Sequence, residues 1–349
     1  MISSHHKQSG LSLIELMVAI TLSLILTLGV VQIFSSSKQT SRVQNELARI
    51  QENARFALDI LSKDIRMAGQ LGCNSTPTIT NNTGELRAFG SGIFGYNYAN
   101  PMTVSLTTDT NDPNPSTDTI IANTDAIIVM SASSNSVAAS SNSGTVTAKA
   151  GSDFDSTTGS PFTVNPGDPM VISDCENADL FIADTVNNNE VTISTSSSFS
   201  KQYDNSSRLA KLNYNAYYLR EHNGQRNLYR AYVNGESSST SVDTNPLLEG
   251  VEDMQILYGE DLDNDGNANR YVDAATADMN NVVSVRIYLL LATLEDNLAS
   301  EPQSYWHLDV NGCDGAESNT ITLCDPAGDH RLYRGFTTTV QLRNQGIGI

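Results

Sequence analysis

Residues 11–34 form an apolar run whose only formal charge is Glu15, and this run limits what the rest of the chain can be. As a helix, its 24 residues span ~36 Å, enough to cross a hydrocarbon core of ~30 Å. A carboxylate inside such a segment costs roughly 2.5–3.5 kcal/mol on insertion scales, so it asks for a partner and a purpose. An ordinary secretory signal has a short apolar core and a small-residue cleavage site, and an acid within that core is out of place. Beyond Phe34 the helical pattern continues without a breaker. Val43, Leu47, Ile50, Ala54, Leu58, Leu61, Ile65 and Ala68 follow at spacings of three and four, one apolar stripe. Arg42, Gln44, Glu46, Arg49, Glu52, Lys63 and Asp64 fall between them as a solvated face, and Gly69 and Gly72 bracket the stop. Residues 11–68 therefore read as one helix of ~87 Å. The stripe is short and lacks consistent Leu at the repeating positions of a coiled coil, so it is expected to pack on its own head.

The polar residues 1–10, with His5, His6 and Lys7, read as a leader. Residues 11–70 form the long helix, of which 11–34 cross a membrane, and 71–349 form an extracytoplasmic, β-rich head. Lys7, Lys38 and Arg42 flank both ends of the span, so the positive-inside rule does not fix its orientation. An apolar fraction of 39% with abundant Ser, Thr and Asn suits a loop-rich β head better than a doubly wound enzyme. The net charge of −19, from 39 acids and 20 bases, argues against broad nucleic-acid binding, which needs clustered Lys and Arg. Arg331 and Arg334 are the nearest candidates for a local basic patch.

Strand-like runs recur at 126–130, 169–172, 190–193, 214–219, 228–233, 254–258 and 336–342. The clearest alternation sets Val283, Val285, Ile287, Leu289 and Leu291 against Ser284, Arg286 and Tyr288, a strand with one strongly apolar face. Residues 74–118, 131–160 and 194–207 are rich in Ser, Asn, Thr, Gly or Pro and read as surface loops or flexible hairpins. The fold class is α+β: a long N-terminal helix packed on an antiparallel β-rich head.

Cys73, Cys175, Cys313 and Cys324 contain no CxxC pair, so neither a zinc ribbon nor a thioredoxin motif is present. Export to an oxidising compartment makes disulfides the expectation. Three pairings are possible; Cys313–Cys324 with Cys73–Cys175 is favoured, worth roughly 3 and 4–5 kcal/mol in the chain-entropy model. Asp261, Asp263 and Asp265 occupy positions one, three and five of a loop with Gly266 at six, followed by Asn267 and Asn269. Alternate residues on a tight turn converge, and Ca²⁺ takes six to eight oxygens. Position twelve is Val272 where a full EF-hand has Glu, and Asp273 substitutes only if the loop is longer. The competing reading is a solvated turn between strands. Asp325 to Asp329 reads as a turn. No HExxH, GxSxG or phosphate-cradling glycine loop appears, and an enzyme is not expected.

The segment Lys7-Gln8-Ser9-Gly10-Leu11-Ser12-Leu13-Ile14-Glu15-Leu16-Met17-Val18-Ala19 closely resembles a type III prepilin signal: Gly at the cut site, then Glu at the fifth mature position. In the head, residues 245–259, 282–287 and 336–344 add to the likeness. Together with the long helix they resemble the PilW family of type IV pilus minor pilins, over the first seventy residues and much of 208–349. That resemblance implies a low-abundance subunit that primes pilus assembly. It implies cleavage and N-methylation at Gly10 and Leu11 by a prepilin peptidase, and a role for Glu15 in assembly. Its implied partners are other minor and major pilins and the inner-membrane assembly platform, with the head periplasmic first and on the cell surface later. Leu11 stands where such pilins usually carry Phe. Two other readings remain open: a minor pseudopilin of a type II secretion system, and a calcium-dependent adhesin displayed on a filament.

Overall fold

The computed structural model describes residues 12–72, 78–83, 92–97, 121, 123–148, 162–187, 190–192, 198–222, 224–233, 240–242, 246–309, 320–324 and 328–344. The chain divides into two compact units, Met1–Arg49 and Ile50–Ile349.

One helix, α1 (Leu13–Met67), contributes to both units. In the first unit it carries exposed apolar side chains on all sides, from Leu13 to Phe34, and it is long and apolar enough to cross a membrane. Its few hydroxyls are satisfied within the helix. Thr21 donates to the Val18 carbonyl at 2.9 Å, Ser23 to Ile20 at 2.8 Å and Thr27 to Ser23 at 2.7 Å. A polar group satisfied this way does not forfeit a hydrogen bond on entering lipid.

In the second unit, α1 buries Ile50, Ala54, Ala57, Leu61 and Ile65, continuing to Ala68. The spacings of three and four put them on one face, and the alanines let the sheets come close. The helix ends at Gly69, whose φ of 73° only glycine adopts easily. The Gly69 amide donates to the Met130 carbonyl at 2.9 Å. Gly92 meets this end from the other side: a Cβ there would lie 1.8 Å from the Gly69 nitrogen, so no larger residue fits.

The strands are β1 (Thr78–Asn81), β2 (Ile93–Tyr96), β3 (Ala126–Asn142), β4 (Thr145–Ala148), β5 (Pro169–Ser173), β6 (Asn177–Ile182), β7 (Thr185–Asn187), β8 (Glu190–Thr192) and β9 (Arg208–His222). They continue with β10 (Gln225–Val233), β11 (Thr240–Val242), β12 (Leu248–Glu249), β13 (Val251–Glu260), β14 (Arg270–Val272), β15 (Val282–Ala292), β16 (Tyr305–Asp309), β17 (Thr320–Cys324) and β18 (Tyr333–Gln341). The first twelve form one sheet with a backbone order β1-β6-β5-β9-β3-β4-β8-β7, in which β2 pairs β3 and β10 pairs β9, β11 and β12. A second sheet has the order β14-β13-β15-β18, and β16 pairs β17. Neighbours are antiparallel except β1 and β6, which run parallel.

The two large sheets meet at residues 123–125. The Asp125 amide donates to the Met254 carbonyl at 2.9 Å, the Ile256 amide returns a bond to the Asp125 carboxylate at 2.7 Å, and Gln255 Nε2 donates to the Asn123 carbonyl at 2.8 Å. At this junction Ile127, Val129 and Tyr217 of the large sheet pack with Met254, Ile256, Val285, Ile287 and Val340 of the small one, all against the buried stripe of α1. A second core (Val146, Phe162, Met170, Phe181, Val191, Tyr203 and Leu209) lies among β4, β5, β6, β8 and β9.

Two expectations are modified. Residues 131–142 continue β3 as one arm of a hairpin: 131–132 and 136–138 pair with β9, 139–142 pair with β4, and the ladder is interrupted between Ala132 and Ser136. The hairpin to β4 then turns on Ser143 and Gly144, both at positive φ, as a two-residue connection requires. Strand β15 has two apolar faces: Val285, Ile287 and Leu289 join the main core, while Tyr288 and Leu290 pack with Leu257 and Tyr333.

Candidate functional site

Gly10 and Leu11 lie outside the described residues. Helix bonding begins at Ser12, whose carbonyl accepts the Leu16 amide at 3.1 Å. Glu15 therefore sits in the first turn, where a negative charge faces the positive end of the helix dipole. Its carboxylate makes no hydrogen bond or ion pair among the described residues. From Leu13 to Phe34 the described helix is an apolar cylinder whose one acid, Glu15, has no partner among the described residues.

The Asp-rich turn joins β13 to β14. One oxygen each of Asp261, Asp263 and Asp265 lie within 4.8 Å of one another. Asp261 is buried and organises the turn: its carboxylate accepts the amides of Asn264 at 2.7 Å and Gly266 at 2.7 Å, with longer bonds from Asp263 and Asp265. Partial desolvation works against its charge, but these amides outweigh it and hold the carboxyl below the usual range. Asn264 and Gly266 take positive φ to aim their amides inward. Asp263 and Asp265 are exposed; Asp265 accepts the Asn267 amide at 2.8 Å, and Asn269 Oδ1 accepts the Leu262 amide at 2.6 Å. Asp273 is outside the three-carboxylate cluster and caps its own turn, accepting the Thr276 amide at 2.8 Å. Three carboxylates this close repel one another, and a hard cation relieves that while taking their free lone pairs.

Cys175, between β5 and β6, is in a disulfide. Cys73 and Cys313 lie outside the described residues, as does the side chain of Cys324 in β17.

Several carboxylates carry structural roles that no sequence pattern marks. Asp64 leaves the solvated face of α1: its Oδ2 accepts Tyr217 Oη at 2.6 Å and Asn215 Nδ2 at 2.9 Å, tying helix to β9. Asp179 is fully buried without a cation and accepts Ser200, Tyr203 and Asn82 instead. Burial pushes the Asp125 carboxyl well above the usual range despite the Ile256 amide, and Asp253 and Asp273 add repulsion. Arg331 is not part of a free basic patch, since it pairs with Glu252 and donates to the Thr293 carbonyl at 2.8 Å. Arg55, Lys63 and Arg66 on α1 and Arg343 after β18, which have no such partners among the described residues, line a cavity of about 940 Å³. A lengthwise stripe at positions 55, 59, 62, 63 and 66 was legible as one helix face, but Arg343 reaches it only through the fold.

Residues 216–344 match the family described as Type IV Pilus-assembly protein W, and residues 5–31 match the Prokaryotic N-terminal methylation motif. No curated protein and no solved structure gave a significant match. The first match runs from β9 through the small sheet to the residues after β18, and the second covers residues 5–12 and the apolar start of α1. Over residues 216–344 the chain is thus similar to the type IV pilus-assembly protein W family, a family of structural pilins rather than enzymes, and over residues 5–31 it carries a prepilin-type N-terminal methylation motif.

Proposed function

We propose that this chain is a minor pilin that helps prime pilus assembly. The observation that carries the reading is the methylation motif at 5–31, which from Leu13 on lies on an apolar helix whose Glu15 has no partner among the described residues. In this reading a peptidase removes residues 1–10 by cutting between Gly10 and Leu11. Glycine suits the cut because it lets the backbone enter a narrow site. Residues 11–34 then hold the chain in the inner membrane while the head, 71–349, folds in the periplasm. The new α-amine at Leu11 and the Glu15 carboxylate lie in one low-dielectric layer, where each charge alone is costly and opposite charges attract strongly. Pairing Glu15 with the first amine of a neighbouring pilin fixes an axial offset between subunits. The match to a pilus-assembly family over 216–344 favours the pilus over a secretion pseudopilin. The Asp261, Asp263, Asp265 loop, with Asn267 and Asn269 beside it, is proposed to hold one structural Ca²⁺.

Deleting the gene and counting surface pili tests the role. Loss of pili that the intact gene restores supports it; normal piliation with failed type II secretion transfers the chain to the pseudopilins.

A further inference from the structure

On the flank of α1 beside its buried stripe, Arg55, Leu58, Asp59, Ser62, Lys63, Arg66 and Met67 form one wall of the 940 Å³ cavity. The opposite wall is the irregular stretch of β3 between Ala132 and Ser136, which offers Ser133 and Ser134, together with Phe336 and Arg343. All of this lies within the second unit. Four of the sixteen lining residues are Lys or Arg, against 20 in the whole 349-residue chain. Arg55, Lys63, Arg66 and Arg343 have no hydrogen bond or ion pair through their side chains among the described residues. Of the two acids in the lining, Asp64 already has one oxygen occupied by Tyr217 and Asn215. A groove of positive character thus lies on a chain of net charge −19, with Leu58, Met67 and Phe336 as apolar ground between the cations.

We propose that this groove docks an acidic, partly apolar peptide segment of a neighbouring pilus subunit. The inference rests on the pilus reading above and names a surface that reading lacks. Charge complementarity selects the occupant. Free guanidinium and ammonium groups in a recess, flanked by hydroxyl donors, match carboxylates at close range, and Leu58, Met67 and Phe336 match the apolar residues between them. A long polyanion such as nucleic acid extends beyond the groove onto an acidic surface and is repelled there, whereas a short segment places its charge in the groove alone. The screening length of roughly 8 Å at physiological ionic strength keeps the surrounding acids from cancelling the local attraction.

The test uses the detergent-solubilised full chain and a fluorescein-labelled peptide, Glu-Leu-Glu-Glu-Leu-Glu, followed by anisotropy. Saturable binding is expected, and the variant Arg55→Glu/Lys63→Glu/Arg343→Glu is expected to bind about tenfold more weakly or worse. Because those side chains support nothing else in the fold, its melting temperature should match the wild type. No saturable binding, equal binding by the variant, or tighter binding of an oligothymidylate or heparin overturns the proposal. In cells lacking the native gene, the same variant should be inserted and processed normally but restore few pili. Full restoration by the variant overturns the groove and leaves the pilus reading intact. If deletion of the gene leaves piliation unchanged, the pilus reading itself fails, and the groove falls with it.

Discussion

Replacing Leu61 by Ala tests whether α1 is the core of the head or only leans on it. Leu61 is fully buried between Ala57 and Ile65, in the cluster that also holds strand residues from both large sheets. A helix held by one face against residues of both sheets relaxes little into the space left, so most of the cavity term applies. Leu→Ala truncations at such sites cost about 2–5 kcal/mol. For a head of this size that lowers the midpoint by ~3–8 °C. Phe56 is the internal control: it lies on the same helix but is 52% exposed, so Phe56→Ala should change stability by less than about 0.5 kcal/mol. Urea unfolding of residues 35–349, with the slope unchanged, gives both numbers. Equal effects of the two substitutions would refute the packing argument, because a helix that merely covers the head has no privileged face.

Other consequences follow from the same contacts. Tyr217→Phe removes a 2.6 Å bond to Asp64 and should cost about 1.5 kcal/mol, the low end for a charged partner since Asp64 is only partly buried; in Asp64→Ala the same change should cost less, read from a double-mutant cycle. Asp125 has a raised carboxyl pKa, so the folded state holds its proton where the unfolded chain has lost it. Its stabilising share is present at acid pH and disappears as pH rises through the folded value, so Asp125→Asn should be more stable than wild type at pH 8 and flatten that dependence. Asp261 has the opposite sign: its lowered pKa means that stability is lost as pH falls through the folded value, and Asp261→Ala should lower the melting point at pH 7 but barely at pH 2. If the loop holds Ca²⁺, the ion at a hundred times its dissociation constant should add ~2.7 kcal/mol; an unchanged melt with chelator, or the same shift in Asp263→Ala/Asp265→Ala, returns the loop to a plain turn.

The long helix was legible because its signals are local. The stripe from Ile50 to Ala68 recurs every three or four residues, and Gly69 supplies the stop. Strand β15 was equally plain from its alternation. What escaped was decided by distant partners. Asp64 reads as solvated until Asn215 and Tyr217, more than a hundred residues away, arrive beside it. The serines after Met130 favour loops by composition, and pairing with β9 at Ser131 and Ser136 and with β4 at Ser140 and Ser141 holds the strand extended. Arg331 looked free because Glu252 comes from β13 and the Thr293 carbonyl from the residue after β15, both distant in sequence. The Asp261 turn was visible as a motif, since position one, three, five and a glycine at six are sequence facts. Its closure on four amides of its own backbone was not.

The most direct test of the account is the intact mass of the protein purified from membranes of cells that carry the prepilin peptidase. The account predicts a chain that begins at Leu11 with one methyl group on its α-amine, and a full-length precursor when Gly10 is replaced by Arg. A wild-type chain still beginning at Met1, or cut near residue 34, would contradict it.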